Sequence, residues 1–102
     1  MNQPYIFKSN GSYLGFINGA NIFSRDGIYL GWTEDRYVWD ASGKFRGVLN
    51  EINGYKYILL NTLQILPLPR LPKLSPLAPL LPNPPANIPA ISLPVGYIDG
   101  FK

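Results

Sequence analysis

Cysteine and histidine are both missing from this 102-residue chain. Their absence removes thiol nucleophiles, imidazole general bases, disulfide staples and the usual ligands of zinc and haem. It also leaves nothing from which a redox compartment could be read. Charge is sparse as well: six acidic and nine basic residues give a formal +3. The cations Lys8, Arg25, Arg36, Lys44, Arg46, Lys56, Arg70, Lys73 and Lys102 are scattered without a run. A basic character this diffuse does not argue for nucleic acid, although it would tolerate an acidic partner or an anionic lipid surface. Nor is there a long unbroken apolar run, because proline interrupts the stretch beyond Leu59 every two to four residues and no spanning helix survives that. The opening Met1-Asn2-Gln3-Pro4 lacks a basic segment followed by an apolar one, so a secretory leader is not expected. The expectation is a cytoplasmic protein, with peripheral membrane contact as the alternative.

What is present is a repeat. Ile6-Phe7, Ile22-Phe23 and Val38-Trp39 form one set, and Gly11, Gly27 and Gly43 a second. Tyr13-Leu14-Gly15-Phe16, Tyr29-Leu30-Gly31-Trp32 and Phe45-Arg46-Gly47-Val48 form a third, all at a spacing of sixteen. A fixed period means one supersecondary unit copied and packed on its neighbours, since no single copy buries its own apolar side. Roughly sixty residues belong to the repeat, close to the lower limit for a self-sufficient core, so the chain reads as a single domain over residues 1–102 whose core needs closure or extra packing.

Asn10-Gly11, Asp26-Gly27 and Ser42-Gly43 lie mid-copy between runs of high strand propensity and predict antiparallel hairpins with two-residue type I′ turns. That turn sets a register: Ser9 faces Ser12, Lys8 faces Tyr13, Phe7 faces Leu14, Ile6 faces Gly15 and Tyr5 faces Phe16. One face of each hairpin is then aromatic-rich, built in the first copy from Tyr5, Phe7, Leu14 and Phe16. The other carries Ile6, Ile22 and Val38 over Gly15, Gly31 and Gly47. A glycine opposite a branched aliphatic in every copy marks strands that crowd or bend, as at a barrel corner. No helix follows these glycines, so they are not a phosphate cradle.

After Asn50 the pattern slips by about four residues, and Tyr57-Ile58-Leu59 then reads like Tyr5-Ile6-Phe7. Val95-Gly96-Tyr97-Ile98-Asp99-Gly100 reads like Leu14-Gly15-Phe16-Ile17-Asn18-Gly19. The simplest organisation is four hairpins, 4–19, 20–35, 36–51 and a split copy 55–61 plus 93–100, with a proline-rich insertion 64–94 replacing the fourth tip. Joining strand eight to strand one would close the ring and remove two exposed edges.

Within the insertion Leu68, Leu71, Leu74, Leu77 and Leu80 recur every third residue beside prolines on nearly the same period. Three residues per turn is the polyproline II repeat. Residues 83–87 read as a reversal, with the chain returning along 88–94. The leucine stripe requires a cover: the domain's own aromatic face, the same segment of a second subunit, or a foreign protein. Lys73-Leu74-Ser75-Pro76-Leu77-Ala78-Pro79 also fits a basic-x-x-Pro-x-x-Pro docking pattern, which any segment this rich in proline satisfies easily.

The hairpins with Asn-Gly or Asp-Gly tips, the triplets Leu14-Gly15-Phe16, Leu30-Gly31-Trp32 and Val95-Gly96-Tyr97, and the proline-rich interruption resemble the four-fold β-flower proteins, a mainly bacterial family. Arg46 and Val48 depart from its pattern. The resemblance covers nearly the whole chain and implies an all-β, pseudo-four-fold, closed shallow barrel, distantly similar to tubby-type and lipid-scramblase-type barrels. It implies no activity, and a lipid role borrowed from such barrels would be analogy of fold alone.

Catalysis is not expected. Asp26, Glu34, Asp35, Asp40, Glu51 and Asp99 mostly fall in turns and links where carboxylates are solvated caps, and no third ligand repeats beside Glu34-Asp35. Neither cofactor nor metal is expected. The leading reading is an interaction module, self-assembling or docking a protein through the proline-rich segment, with Tyr5, Phe7, Phe16, Phe23, Trp32, Tyr37, Trp39 and Tyr97 as stiff contact residues. The competing class is a peripheral lipid binder, in which Lys8, Arg25, Lys44 and Arg46, gathered near the hairpin tips, meet anionic head groups.

Overall fold

Each strand lies beside the strand that precedes it in sequence. In the computed structural model, which describes residues 4–77 and 79–101, one sheet runs in order through β1 (Tyr5–Phe7), β2 (Tyr13–Asn18), β3 (Asn21–Ser24) and β4 (Tyr29–Glu34). It continues through β5 (Tyr37–Asp40), β6 (Phe45–Ile52), β7 (Tyr55–Asn61) and β8 (Tyr97–Asp99). These neighbours are antiparallel, and β1 also pairs in parallel with β7 through Ile6↔Lys56 and Phe7↔Tyr57. The result is an all-β closed barrel of seven strands with β8 outside the ring; there is no helix among the described residues.

Closure therefore differs from the expected pairing of strand eight with strand one. β7 offers a single edge to both: β1 takes its first half, and β8 takes Leu59, Leu60 and Asn61 opposite Asp99, Ile98 and Tyr97. The register also moves the last glycine. Gly100 N donates to Ile58 O at 2.9 Å, so Gly100 rather than Gly96 stands across from Ile58, as Gly15 stands across from Ile6. Gly96 instead receives the Thr62 amide and hydroxyl on its carbonyl. The short β8 is held by Asp99, whose carboxylate accepts Ser9 N at 2.8 Å and Ser9 Oγ at 2.7 Å.

The hairpin tips are one residue longer than a type I′ turn. In each tip the glycine amide bonds back three residues, from Gly11 to Lys8 O, Gly27 to Ser24 O and Gly43 to Asp40 O. The outer pair is Lys8–Ser12, Ser24–Ile28 or Asp40–Lys44. A type I′ turn needs positive φ at both central residues, whereas only the glycine adopts it, at φ 94° for Gly43. The type I′ signature appears at the opposite end of the barrel, at Asp35-Arg36 and Asn53-Gly54. Side chains hold the longer loop: in the first tip Asn10 Oδ1 accepts the Ser12 amide and hydroxyl. Ser24 Oγ accepts the Asp26 and Ile28 amides, and Asp40 Oδ1 accepts the Ser42 and Lys44 amides, which ties three residues into the tip.

The extra residue produces a bulge in each hairpin, so Phe7 pairs with Tyr13 rather than Leu14, Phe23 with Tyr29, and Trp39 with Phe45. Leu14 and Leu30 consequently leave the aromatic face and pack on the interior cluster of Ile6, Ile22, Val38 and Ile58. Those four are 0–2% exposed, each worth about 1.5–3 kcal/mol on burial. Crowding at the repeated glycines is real: a Cβ on Gly31 would lie 2.0 Å from Trp39 O. Any side chain there would drive the next strand away.

Candidate functional site

The outer surface of the barrel is an aromatic layer set by cross-strand register. Phe16 lies opposite Phe23 and stacks on it at 5.5 Å; Trp32 lies opposite Trp39 and stacks at 6.1 Å. Edge-to-face contacts extend the layer through Tyr37–Trp39, Tyr37–Phe45 and Tyr5–Tyr13. Each such pair adds about 0.5–1.5 kcal/mol beyond area burial. Of the eight rings expected as contact residues, Phe7, Phe16, Phe23, Trp32 and Trp39 are buried, Tyr5 and Tyr97 are half-buried, and Tyr37 remains exposed. Tyr13 and Tyr57, read less closely from the sequence, are as buried as the phenylalanines. Burial, helped by Tyr5 beside Tyr13 and by Tyr55 beside Tyr57, pushes their phenol pKa values up.

What covers the layer is the chain between β7 and β8, which encircles the barrel as a belt. Arg70 N donates to Gly43 O at the third hairpin tip (2.8 Å), a Leu81 methyl reaches Gly27 at the second, and Ile88 N donates to Gly11 O at the first (2.9 Å). Ile91 N then reaches Ser9 O at 2.8 Å, and Tyr5 OH donates to Asn83 O at 2.8 Å. The belt thus visits the tips in reverse order instead of going out and back as expected, and residues 83–87 are not a reversal. The tip glycines permit this approach, since a Cβ on Gly43 would collide with Arg70 O.

Burial along the belt has a period of three. Pro67, Pro76, Pro79, Pro82, Pro85, Ile88 and Ile91 are half-buried against the barrel. Arg70 and Lys73 fall in the same row. The Arg70 guanidinium lies 4.4 Å from the Trp39 ring centre, and Lys73 Nζ lies 4.6 Å from that of Trp32. Each contact is worth about 0.5–1 kcal/mol at an exposed site. Arg70 also pairs with Glu34 at 3.2 Å, an exposed bridge of small value. The leucine row is one position onward. Leu68, Leu71, Leu74, Leu77 and Leu80 are 83%, 86%, 96%, 97% and 96% exposed, so the belt covers the barrel with its other edge and turns this stripe to solvent.

Of the four cations expected to meet lipid, the two arginines are engaged within the chain. Arg46 Nε bonds Asp40 Oδ2 at 2.8 Å and its guanidinium stands 5.4 Å from the Phe101 ring centre; Arg25 stands 5.8 Å from that of Tyr13. Lys8 and Lys44 flank the first and third tips. Asp40, read as a solvated turn carboxylate, is 8% exposed. Burial would raise its pKa, but hydrogen bonds from Ser42, the Lys44 amide and Arg46, together with the Arg46 charge, hold it below the usual value.

Among the described residues no three carboxylates gather as a metal site, and no helix is long and apolar enough to cross a membrane. The layer has a gap, a cleft of about 220 Å³ between β5, β6 and β7 and the start of the belt, lined by Tyr37, Phe45, Val48, Leu59, Asn61 and Tyr97 among others. Sequence reasoning missed it, although Val48 at an aromatic position was the available signal.

Comparison with curated proteins and with solved structures returned no match. The sequence model of one family, described as 4-fold beta flower protein, matches residues 1–98, and the chain belongs to that family.

Proposed function

We propose that this β-flower protein is a non-enzymatic interaction module that self-assembles through the outward leucine row of its belt. The ring is read as four copies of one hairpin, the fourth split by a proline-rich excursion, residues 64–94, in polyproline II conformation. The three-residue burial period of the belt supports that reading. The observation that carries the function is the exposure of Leu68, Leu71, Leu74, Leu77 and Leu80 at 83–97% on a segment otherwise anchored to the barrel. An anchored segment has already lost its backbone entropy, so a partner meets a preformed ridge.

Size favours a second copy. Burying a leucine fully is worth about 1.5–3 kcal/mol, or roughly 100 Å² each, so the row offers about 500 Å². Leu63, Ile65 and Val95, exposed by 74%, 100% and 92%, extend it toward the roughly 800 Å² per partner of a stable interface. A peripheral-membrane reading draws on the same leucines, beside exposed Lys44 and the formal +3 charge. Arg25 and Arg46 are already engaged within the chain, which counts against it.

Light scattering beside liposome co-sedimentation separates the readings. Self-assembly predicts a salt-insensitive dimer or larger species that the Leu74→Ser/Leu77→Ser variant converts to monomer. A monomeric parent that pellets only with anionic vesicles, and stops pelleting on Lys8, Arg25 and Lys44 to Ala substitution, would replace it with the membrane reading.

A further inference from the structure

We infer that the cleft over Val48 and Leu59 is a binding site for a small aromatic molecule, one ring carrying a hydroxyl or N–H group. The argument begins with register. Phe16↔Phe23, Trp32↔Trp39 and Val48↔Leu59 are the same cross-strand position in successive pairs β2/β3, β4/β5 and β6/β7. The first two hold stacked rings; the third holds two aliphatics. Replacing an aromatic pair by valine and leucine removes side-chain volume, and the neighbours have not collapsed into it. The start of the belt, residues 64–67, borders this position without filling it, and Ile65 is fully exposed.

The space left has the size and the walls for a ring. Its volume is about 220 Å³, while an apolar cavity of about 150 Å³ is enough to take up benzene. Val48 and Leu59 line it together with Tyr37, Phe45 and Tyr97. Tyr37 and Phe45 already meet edge-to-face at 5.7 Å, so the wall presents ring surface to an incoming ring. Asn50, Asn61 and Gln64 add amides at the margin. The Asn61 carboxamide is oriented by the Leu63 amide it accepts (3.0 Å) and by donation to Tyr97 OH (3.4 Å). Asn50 Nδ2 likewise donates to Val48 O at 3.1 Å, and a hydroxyl or N–H on the ligand would meet the hydrogen-bonding positions these amides keep open at the margin. Tyr37 is 45% exposed, which gives the site an open side.

The test uses phenol and its saturated counterpart cyclohexanol, which match in size and hydroxyl and differ in aromaticity. Titration of the methyl-labelled full chain with phenol should give saturable shifts of the Val48 and Leu59 methyls, with a Kd on the order of 1 mM for a ligand of this size. Cyclohexanol should bind about tenfold more weakly, the equivalent of one or two ring contacts. Val48→Phe should fill the cleft and abolish the saturable shifts. The methyl readout on the unaltered protein stands by itself where that variant does not fold. Shifts that stay linear to the solubility limit, that fall on methyls away from Val48 and Leu59, or that saturate with the same Kd for cyclohexanol as for phenol would overturn the assignment.

Discussion

Replacing Asp40 by alanine and, separately, by serine tests how the hairpin tips are built. Oδ1 of Asp40 accepts the Ser42 amide, the Ser42 hydroxyl and the Lys44 amide, while Oδ2 accepts Arg46 Nε. Alanine removes all four. Each of the first three is worth about 0.5–1 kcal/mol where water at the tip can replace the lost partner. The Arg46 pair adds less than about 1 kcal/mol because that side chain is 37% exposed. The expected cost of Asp40→Ala is therefore about 2–3 kcal/mol. Serine has a built-in precedent, since Ser24 at the matching position of the second hairpin accepts the Asp26 and Ile28 amides. Asp40→Ser should keep the turn, lose the Arg46 pair and cost about 1 kcal/mol. In a domain this small, 1 kcal/mol moves the melting temperature by about 4–8 °C, so the two variants separate in thermal denaturation.

The pH dependence carries a sign. The folded pKa of Asp40 is depressed, so its charge stabilises the fold above the ordinary carboxylate value near 3.8, and that contribution disappears as pH falls through the lower folded value. The gap between the parent and Asp40→Ser should be constant from neutral pH to about 5 and shrink below about 4. Equal melting temperatures for Asp40→Ala and Asp40→Ser, or a parent–serine gap unchanged down to about pH 2, would refute this account of the tip.

Two further perturbations address the crossing points and the belt. Gly31→Ala places a Cβ 2.0 Å from Trp39 O and should cost about 3 kcal/mol or more in urea denaturation. Gly19→Ala, with nothing within 4 Å and φ +63°, should cost only about 1 kcal/mol; similar losses at both sites would contradict the proposed strand crowding. Arg70→Ala with Lys73→Ala removes two cation–ring contacts worth about 0.5–1 kcal/mol each. It should speed exchange of the Arg70 amide, bonded to Gly43 O, several-fold while leaving the interior around Ile22 and Val38 protected. Unchanged exchange would mean that the lysine and arginine do not hold the belt.

Local chemistry made much of the barrel legible. Ile6, Ile22 and Val38 are identifiable as equivalent from their spacing, and Ile58 from the match of Tyr57-Ile58-Leu59 to Tyr5-Ile6-Phe7 across the slip after Asn50, because an interior cluster of a repeat needs the same residue type at the same place in each copy. Pairing of Ile6 with Gly15 and of Tyr5 with Phe16 followed from the tip position. The register failed where side chains rather than backbone propensity set the loop. Asn10-Gly11 permits a type I′ turn, but Asn10 Oδ1 accepts the Ser12 amide and hydroxyl in a three-residue loop that turns Leu14 inward, and Ser24 holds the matching loop that turns Leu30 inward. The match of Val95-Gly96 to Leu14-Gly15 was off by four, because β8 is short and its pairing answers to Ile58 and Ser9, both remote in sequence.

The candidate surfaces divide in the same way. A leucine at every third position of a proline-rich segment states its own periodicity, since three residues per turn aligns them whatever the surroundings. Which row faces the barrel is a matter of tertiary contact. Arg70 and Lys73 find Trp39 and Trp32, the prolines of their row follow them onto the barrel, and the leucines are left outside. The aromatic pattern and its interruption at Val48 were written in the chain, but a gap in a pattern becomes a cavity only when the neighbours fail to close over it. Period and residue type are local properties that a linear sequence carries in full. Closure of β1 onto β7, the path of the belt around three tips and the cleft at Val48 and Leu59 depend on contacts between distant residues, and those exist only in the folded molecule.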